Sequence, residues 1–249
     1  MSLTRPVVTT KIRRRMSKPS ATAPTVIATV IAIDGPAGAG KSTVARALAR
    51  RLGFFLLDTG AIYRALAFDA DRHGIDFADG AALGPHAAQL PIRFDEAGRV
   101  FLGDEDVSTA IRTPAMSQGA STVSAHPPVR QALLGLQRQL AARGRCVVEG
   151  RDIGTVVLPT APLKIFLTAS PEVRARRRYD ELTARGQTVD LAATLAEIVE
   201  RDDRDTTRAT APLKQADDAI LLDTSQLSEP EVVDRMEALA RARFGHELP

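Results

Sequence analysis

A chain of 249 residues, 44% hydrophobic and 25% charged, has the size and balance of one medium α/β domain or two small ones; collagen, disulfide scaffolds and wholesale disorder are excluded. A single cysteine, Cys146, allows no internal disulfide and no cysteine-rich zinc module, and the longest apolar run, Val26–Ile33, is too short to span a bilayer. The net charge of +3 hides an asymmetry: residues 1–25 carry six basic and no acidic side chains, which leaves the body at −3 and speaks against nucleic acid as a partner.

Residues 1–25 are polar and basic without an apolar period, so a disordered tail is expected there. From residue 26 to 249 strands and helices alternate. Val26–Ile33 reads as a buried parallel strand, and Ser42–Leu52 as a helix closed by Gly53. Phe54–Leu57 is a second strand and Gly60–His73 a second helix. The character changes near Phe77. A short helix near Ala81–Leu90 leads to two strands, Ile92–Asp95 and Arg99–Leu102, around a turn at Glu96-Ala97-Gly98. Helices at Pro114–Ser124 and Pro128–Ala142 follow, and residues 77–124 read as an antiparallel insertion. The alternation resumes with strands Arg145–Val148 and Leu163–Leu167, then a helix opened by Ser170-Pro171-Glu172. A helix over 191–207, a strand Ala219–Leu222 and a last helix behind the capping box Ser228-Glu229-Pro230-Glu231 complete the chain. This order predicts an α/β fold with a parallel sheet covered on both faces.

Gly35-Pro36-Ala37-Gly38-Ala39-Gly40-Lys41-Ser42, followed by Thr43, fits the phosphate-binding pattern G-x-x-x-x-G-K-[ST] between a strand and a helix. Backbone N–H groups converge on an anion there, and the helix N-terminus adds partial positive charge. Lys41 reaches the β/γ-phosphates and the Ser42 hydroxyl is a Mg²⁺ ligand. The chain is therefore expected to bind a nucleoside triphosphate. It contains no asparagine, so a guanine-reading Asn-Lys-x-Asp is absent and a Ras-type GTPase is disfavoured. The compact size and the lack of repeats disfavour a motor.

A small-molecule kinase must hold its acceptor against the γ-phosphate, which takes several converging cations. Arg64 follows the second strand and so lies near the loop at the carboxyl edge of the sheet. Glu149-Gly150-Arg151-Asp152 follows an apolar strand; Glu149, Asp152 or Asp34 could support Mg²⁺. Arg201, Asp205 and Arg208 fall within about 60° on one helix face, with Ile198 and Val199 anchoring the helix beside them. By spacing alone a surface ion-pair ladder is the more ordinary account of that face. Arg174, Arg176, Arg177 and Arg178 crowd another helix, where Arg176–Asp180 and Arg177–Glu181 are i,i+4 pairs; this is a solvated charged helix or a lid. His73, His86, His126 and His246 show no metal spacing, and Asp104-Glu105-Asp106 reads as a solvated turn.

As a set, these residues resemble the bacterial cytidylate kinases, in the P-loop nucleoside monophosphate kinase family. The resemblance covers residues 27–242, and rests on Ile33–Ser42, Leu57–Arg64, Glu149–Thr155, Lys164–Ser170 and Arg201–Asp205. It implies a P-loop NTPase core (26–76 and 125–249) with a five-stranded parallel sheet flanked by helices. It also implies an inserted monophosphate-binding subdomain with short antiparallel strands (77–124) and a helical lid (172–188). The implied activity is ATP-dependent phosphorylation of CMP and dCMP with Mg²⁺, by a cytoplasmic monomer with no membrane partner. By resemblance, Arg64, Arg151, Arg201 and Arg208 hold the acceptor phosphate, which reverses the ordinary account of the Arg201 face. Ser121, Arg130 and Asp152 face the cytosine ring, Thr59 is a further substrate-binding residue, and Asp205 meets the ribose hydroxyls. Lys41, Arg151, Arg174 and Arg178 would stabilise the moving phosphoryl group. Thr59 and Glu149 depart from the Ser and Asp common in relatives. The rivals are a kinase of another small acceptor, such as shikimate, and a nucleic-acid-binding NTPase that uses the tail.

Overall fold

The computed structural model describes residues 29–95, 98–245 and 248. The basic segment 1–25, Glu96-Ala97 of the expected turn and His246 lie outside the described residues.

Strands β1 (Val30–Asp34), β2 (Phe55–Asp58), β6 (Cys146–Glu149), β7 (Leu163–Thr168) and β8 (Ile220–Asp223) form a five-stranded sheet in the order β2-β6-β1-β7-β8. All four pairings are parallel. β1 is buried along its whole length, and its alternate residues serve two different cores. Val30 and Ala32 pack with Leu57, Ile62, Leu66 and Val148 on one face. Ile31 and Ile33 pack with Leu48, Leu52, Val147 and Met236 on the other. A central strand buried on both faces has no polar positions to spare, which is why this stretch reads as a continuous apolar run.

Helix α1 (Lys41–Leu52) closes on Gly53 in the left-handed region, as expected. α2 (Thr59–Arg72) starts directly at the end of β2, because the Asp58 carboxylate accepts from the N–H of Ala61. α3 (Gly80–Ala88), β3 (Ile92–Phe94), β4 (Val100–Leu102) and β5 (Glu105–Asp106) come next, and the three strands pair antiparallel as β3-β4-β5. The expected solvated turn at Asp104-Glu105-Asp106 is thus partly a third strand, and Glu105 takes both terminal nitrogens of Arg72. α4 (Pro114–Val123) and α5 (Pro127–Ala141) follow, with a five-residue π turn over Ile153–Val157 after β6. Leu83, Phe94, Leu102 and Ile111 join the same core as the sheet face.

α6 (Pro171–Ala184) is capped by Ser170, and α8 (Glu229–Phe244) by the Ser228–Glu231 box. On α6 the sequence pairs are not the ones formed. Glu181 binds Arg178 (3.1 Å) and Arg185 (2.6 Å), while Arg177 turns to Thr224. On α7 (Leu191–Thr207) Ile198 is buried but Val199 is 43% exposed, so only one of the two expected anchors holds. The described helices include none long and apolar enough to cross a membrane.

Two features of this scaffold are open to direct test. Gly35 has φ +145°, and a Cβ there would lie 1.9 Å from the Leu167 carbonyl oxygen. Gly35→Ala is expected to cost more than about 3 kcal/mol in urea unfolding, because backbone rather than a side chain must move. Burial pushes the Cys146 thiol up to about 12. A thiol reagent at pH 8 should leave the native chain unmodified and titrate one thiol after denaturation.

Candidate active site

The loop between β1 and α1 lies where connections leave the sheet in opposite directions, at the carboxyl edge. α1 follows Gly40, which offers no side-chain cap, and has no acidic residue in its first turn, so its N-terminal charge is uncompensated. Lys41 is buried and folds back to donate to the Pro36 carbonyl (2.6 Å). Burial, reinforced by Arg151, pushes its ammonium well below the ordinary range. An anion in the loop would reverse that pressure.

Three adjacent strand ends each deliver a carboxylate, and each is used differently. Asp34, at the end of β1, accepts from the N–H groups of Ile153 (2.8 Å) and Gly154 (2.7 Å); burial pushes it up to about 6. Asp58, at the end of β2, pairs with Arg64 at 2.7 Å. Burial would raise it, but Arg64 and Arg112 outweigh that and hold it low. Glu149, at the end of β6, accepts from the Ser42 hydroxyl at 2.9 Å through one oxygen; the other is buried without a partner. Burial, then Asp58, pushes Glu149 up to about 7. Thr59 and Glu149 touch: the Thr59 hydroxyl donates to the Glu149 carbonyl at 2.7 Å.

The Arg201 face turns inward. Asp205 is buried and accepts from Arg151 at 3.0 Å, with Arg208 at 3.9 Å. Burial would raise Asp205, but Arg151, Arg201 and Arg208 outweigh it. Burial, then Arg151, lowers Arg201 to about 10, and burial, then Arg130, lowers Arg208. Buried nitrogens of Arg64, Arg201 and Arg208 have no hydrogen-bond partner. This is not a ladder of solvated pairs. It is a cluster with fewer carboxylates than guanidiniums.

Beside it, Arg130 and Asp152 form a buried salt bridge, with Arg208 at 3.6 Å from the same carboxylate. The Ser121 hydroxyl nearby is buried and unpartnered. Thr59, Arg64, Ser121, Arg130, Arg151, Asp152, Arg201, Asp205 and Arg208 all line one cavity of about 780 Å³ with the loop residues Ala37–Thr43.

Arg178 is on the cavity wall, but Arg174 is not. Arg174 is buried and donates to the carbonyls of Ala169 (2.9 Å) and Ala37 (3.0 Å) and to Asp202 (2.6 Å). The cavity also takes in Arg112 and Arg177, which the sequence did not single out for the site. Arg112 sits in a 3₁₀ turn outside every motif, so only the fold places it 3.9 Å from Asp58.

The Arg130–Asp152 pair can be tested by a double-mutant cycle. Arg130→Met is expected to cost about 3 kcal/mol, because it strands a buried carboxylate. Arg130→Met with Asp152→Leu should cost less than the two single changes summed, by at least about 1 kcal/mol in denaturant unfolding.

Comparison with known proteins agrees with this geometry. The cytidylate kinase family profile matches residues 31–242. A cytidylate kinase of Mycobacterium leprae is 54% identical over 217 residues, spanning 87% of this chain and 97% of that protein. One from Pseudomonas aeruginosa is 55% identical over 210 residues, spanning 82% and 92%. One from Pelotomaculum thermopropionicum is 54% identical over 216 residues, spanning 85% and 96%. With the phosphate loop, the strand-end acids and the arginine cluster all inside the matched stretch, the chain belongs to the cytidylate kinase family.

Proposed function

We propose that this chain transfers the terminal phosphoryl group of ATP to CMP and dCMP, by direct in-line displacement without a covalent enzyme intermediate. The observation that carries the proposal is convergence on one cavity of the loop residues Ala37–Thr43, the Arg64–Arg151–Arg201–Arg208 cluster and the Ser121–Arg130–Asp152 group. Two polyanions must be brought together there, and the surplus of guanidinium over carboxylate is what overcomes their repulsion.

In this account the loop N–H groups and Lys41 hold the donor phosphates. Arg64, Arg151, Arg201 and Arg208 hold the acceptor phosphate. The lowered Lys41 and Arg201 fit this role, since a phosphate dianion supplies the counter-charge they lack. Lys41, Arg151 and Arg178 stabilise charge on the moving group. Arg174 acts through the loop: by fixing the Ala37 carbonyl it positions the cradle rather than touching the phosphates. The acceptor phosphate is already ionised, so no strong general base is needed. Residues 77–124 form the monophosphate-binding part and 172–188 the lid that excludes water.

Magnesium fits beside Ser42. The hydroxyl and the unpartnered oxygen of Glu149 are the hard oxygen donors it takes, whereas both oxygens of Asp34 are committed to backbone N–H groups. When bound, it neutralises charge on the β- and γ-phosphate oxygens.

Base choice follows from hydrogen-bond polarity. Asp152 accepts from the cytosine amino group while Arg130 donates to N3 and O2. Uracil would set its O4 against the carboxylate, and buried polar groups left unpaired discriminate strongly. Asp205 meets the ribose hydroxyls.

The test is a coupled ADP-release assay with ATP and Mg²⁺, offering CMP, dCMP, UMP, AMP and shikimate separately. CMP and dCMP should turn over fastest, and Lys41→Ala should lower kcat by roughly 10²–10³-fold. Asp152→Asn should lower the CMP/UMP ratio of kcat/KM by at least about tenfold. An unchanged ratio would remove Asp152 from base recognition, and preferred turnover of shikimate would overturn the acceptor.

A further inference from the structure

Sequence spacing gives no metal pattern among the histidines, but the fold brings two of them together. His73 closes α2 and His86 lies in α3, and their ring centroids are 5.1 Å apart. Asp69, one turn before His73 on the same face of α2, stands between them. Its Oδ2 is 2.8 Å from His86 Nε2 and 3.8 Å from His73 Nδ1. One donor atom from each of the three lies within 4.8 Å of the others. None of the three lines the phosphoryl-transfer cavity.

Two further details favour a cation. His86 Nε2 is buried and makes no hydrogen bond, so its approach to the carboxylate is close but misaligned for a shared proton. Arg72, the nearest cation along the chain, is engaged elsewhere: it forks onto Glu105 and covers the Phe68 ring. The two imidazoles are thus the side chains closest to the Asp69 carboxylate, with the Arg72 charge acting on it from farther off. His73 now donates from Nδ1 to the Asp69 carbonyl at 2.7 Å. Ligation through Nδ1 breaks that hydrogen bond, moves the proton to Nε2 and turns the ring off the carbonyl, a change that a ring 60% exposed has room to make.

We propose that Asp69, His73 and His86 bind a divalent transition ion of the zinc type, with water completing a four-coordinate shell, and that this ion ties α2 to α3. Two imidazoles and a carboxylate are a donor set for such ions, whereas Mg²⁺ and Ca²⁺ take shells of oxygen alone. α2 carries Thr59 and Arg64 at its other end, and α3 opens the segment that leads to the small antiparallel sheet. The ion would therefore clamp that segment to the parallel-sheet core, at a distance from the reacting phosphates.

The experiment uses the whole chain without a histidine tag. Titration with Co²⁺ should give one ion per chain and the visible ligand-field bands of a four-coordinate site, displaced by Zn²⁺. Zinc X-ray absorption should show a nitrogen/oxygen shell with two imidazoles and no sulfur. His73→Gln and His86→Gln should each weaken Zn²⁺ binding by at least about tenfold, the lower end of what losing even an outer-shell partner costs. Both should leave CMP turnover in Mg²⁺ unchanged after zinc is chelated, which also reports that they fold. Zinc affinity unchanged in the double variant His73→Gln/His86→Gln, or an all-oxygen six-coordinate shell in the parent chain, would overturn the proposal.

Discussion

Positive charge gathered away from water is the constraint on which the rest of this structure depends. Lys41, Arg201 and Arg208 all have their charged forms disfavoured by burial, and each has a further cation as its next opponent. Left alone, such a cluster would spread or neutralise. What holds it is the sheet. β1, β2 and β6 end side by side, with Asp58 paired in register with Glu149 and Ile33 with the same residue. Each strand end contributes an acid, and the three acids are turned to different tasks. One binds backbone, one an arginine and one a serine hydroxyl. Rigid strands hold like charges at fixed separations that a loop would relax.

Much of this was legible in sequence, and for identifiable reasons. Alternation of apolar strands with amphipathic helices is set by local periodicity, so the parallel strands were readable within a residue, except that β1 was expected to start at Val26 and starts at Val30. The phosphate loop was readable because backbone cradling demands glycine at fixed intervals. The Arg201–Asp205–Arg208 face was readable as a face, but not as a buried one. Helical spacing states which side chains are neighbours and is silent on what they point at, so a solvated ladder and an inward cluster look alike. Val199 shows the same limit: an apolar residue next to an anchor need not itself be buried. Arg112 and the His73–His86 approach were not legible at all. Each depends on chain segments far apart in sequence meeting across a turn or between helices. Strand β5 was missed because two acidic residues carry no strand signal of their own.

Thr59 and Glu149 gain meaning when taken together. Thr59 holds the Glu149 backbone through its hydroxyl, and the Glu149 side chain reaches Ser42. Gly150 sits against both Thr59 and Ile153, so close that a Cβ there would lie 2.7 Å from the Thr59 hydroxyl. The Glu149 carboxylate arm and the threonine therefore share one tightly packed corner, and substitution of either is felt by the other.

Arg174 has a wider consequence. One guanidinium joins the phosphate loop at Ala37, the start of α6 at Ala169 and the middle of α7 at Asp202. Gly38 packs close to the same residue: a Cβ there would lie 3.0 Å from the Arg174 Cβ. The α6–α7 hairpin and the loop are in this way one mechanical linkage. A swing of the hairpin must either carry the Ala37 carbonyl with it or break a buried charge-assisted bond. The phosphate loop at Ala37 and helix α7 at Asp202 are therefore held in register by a single side chain.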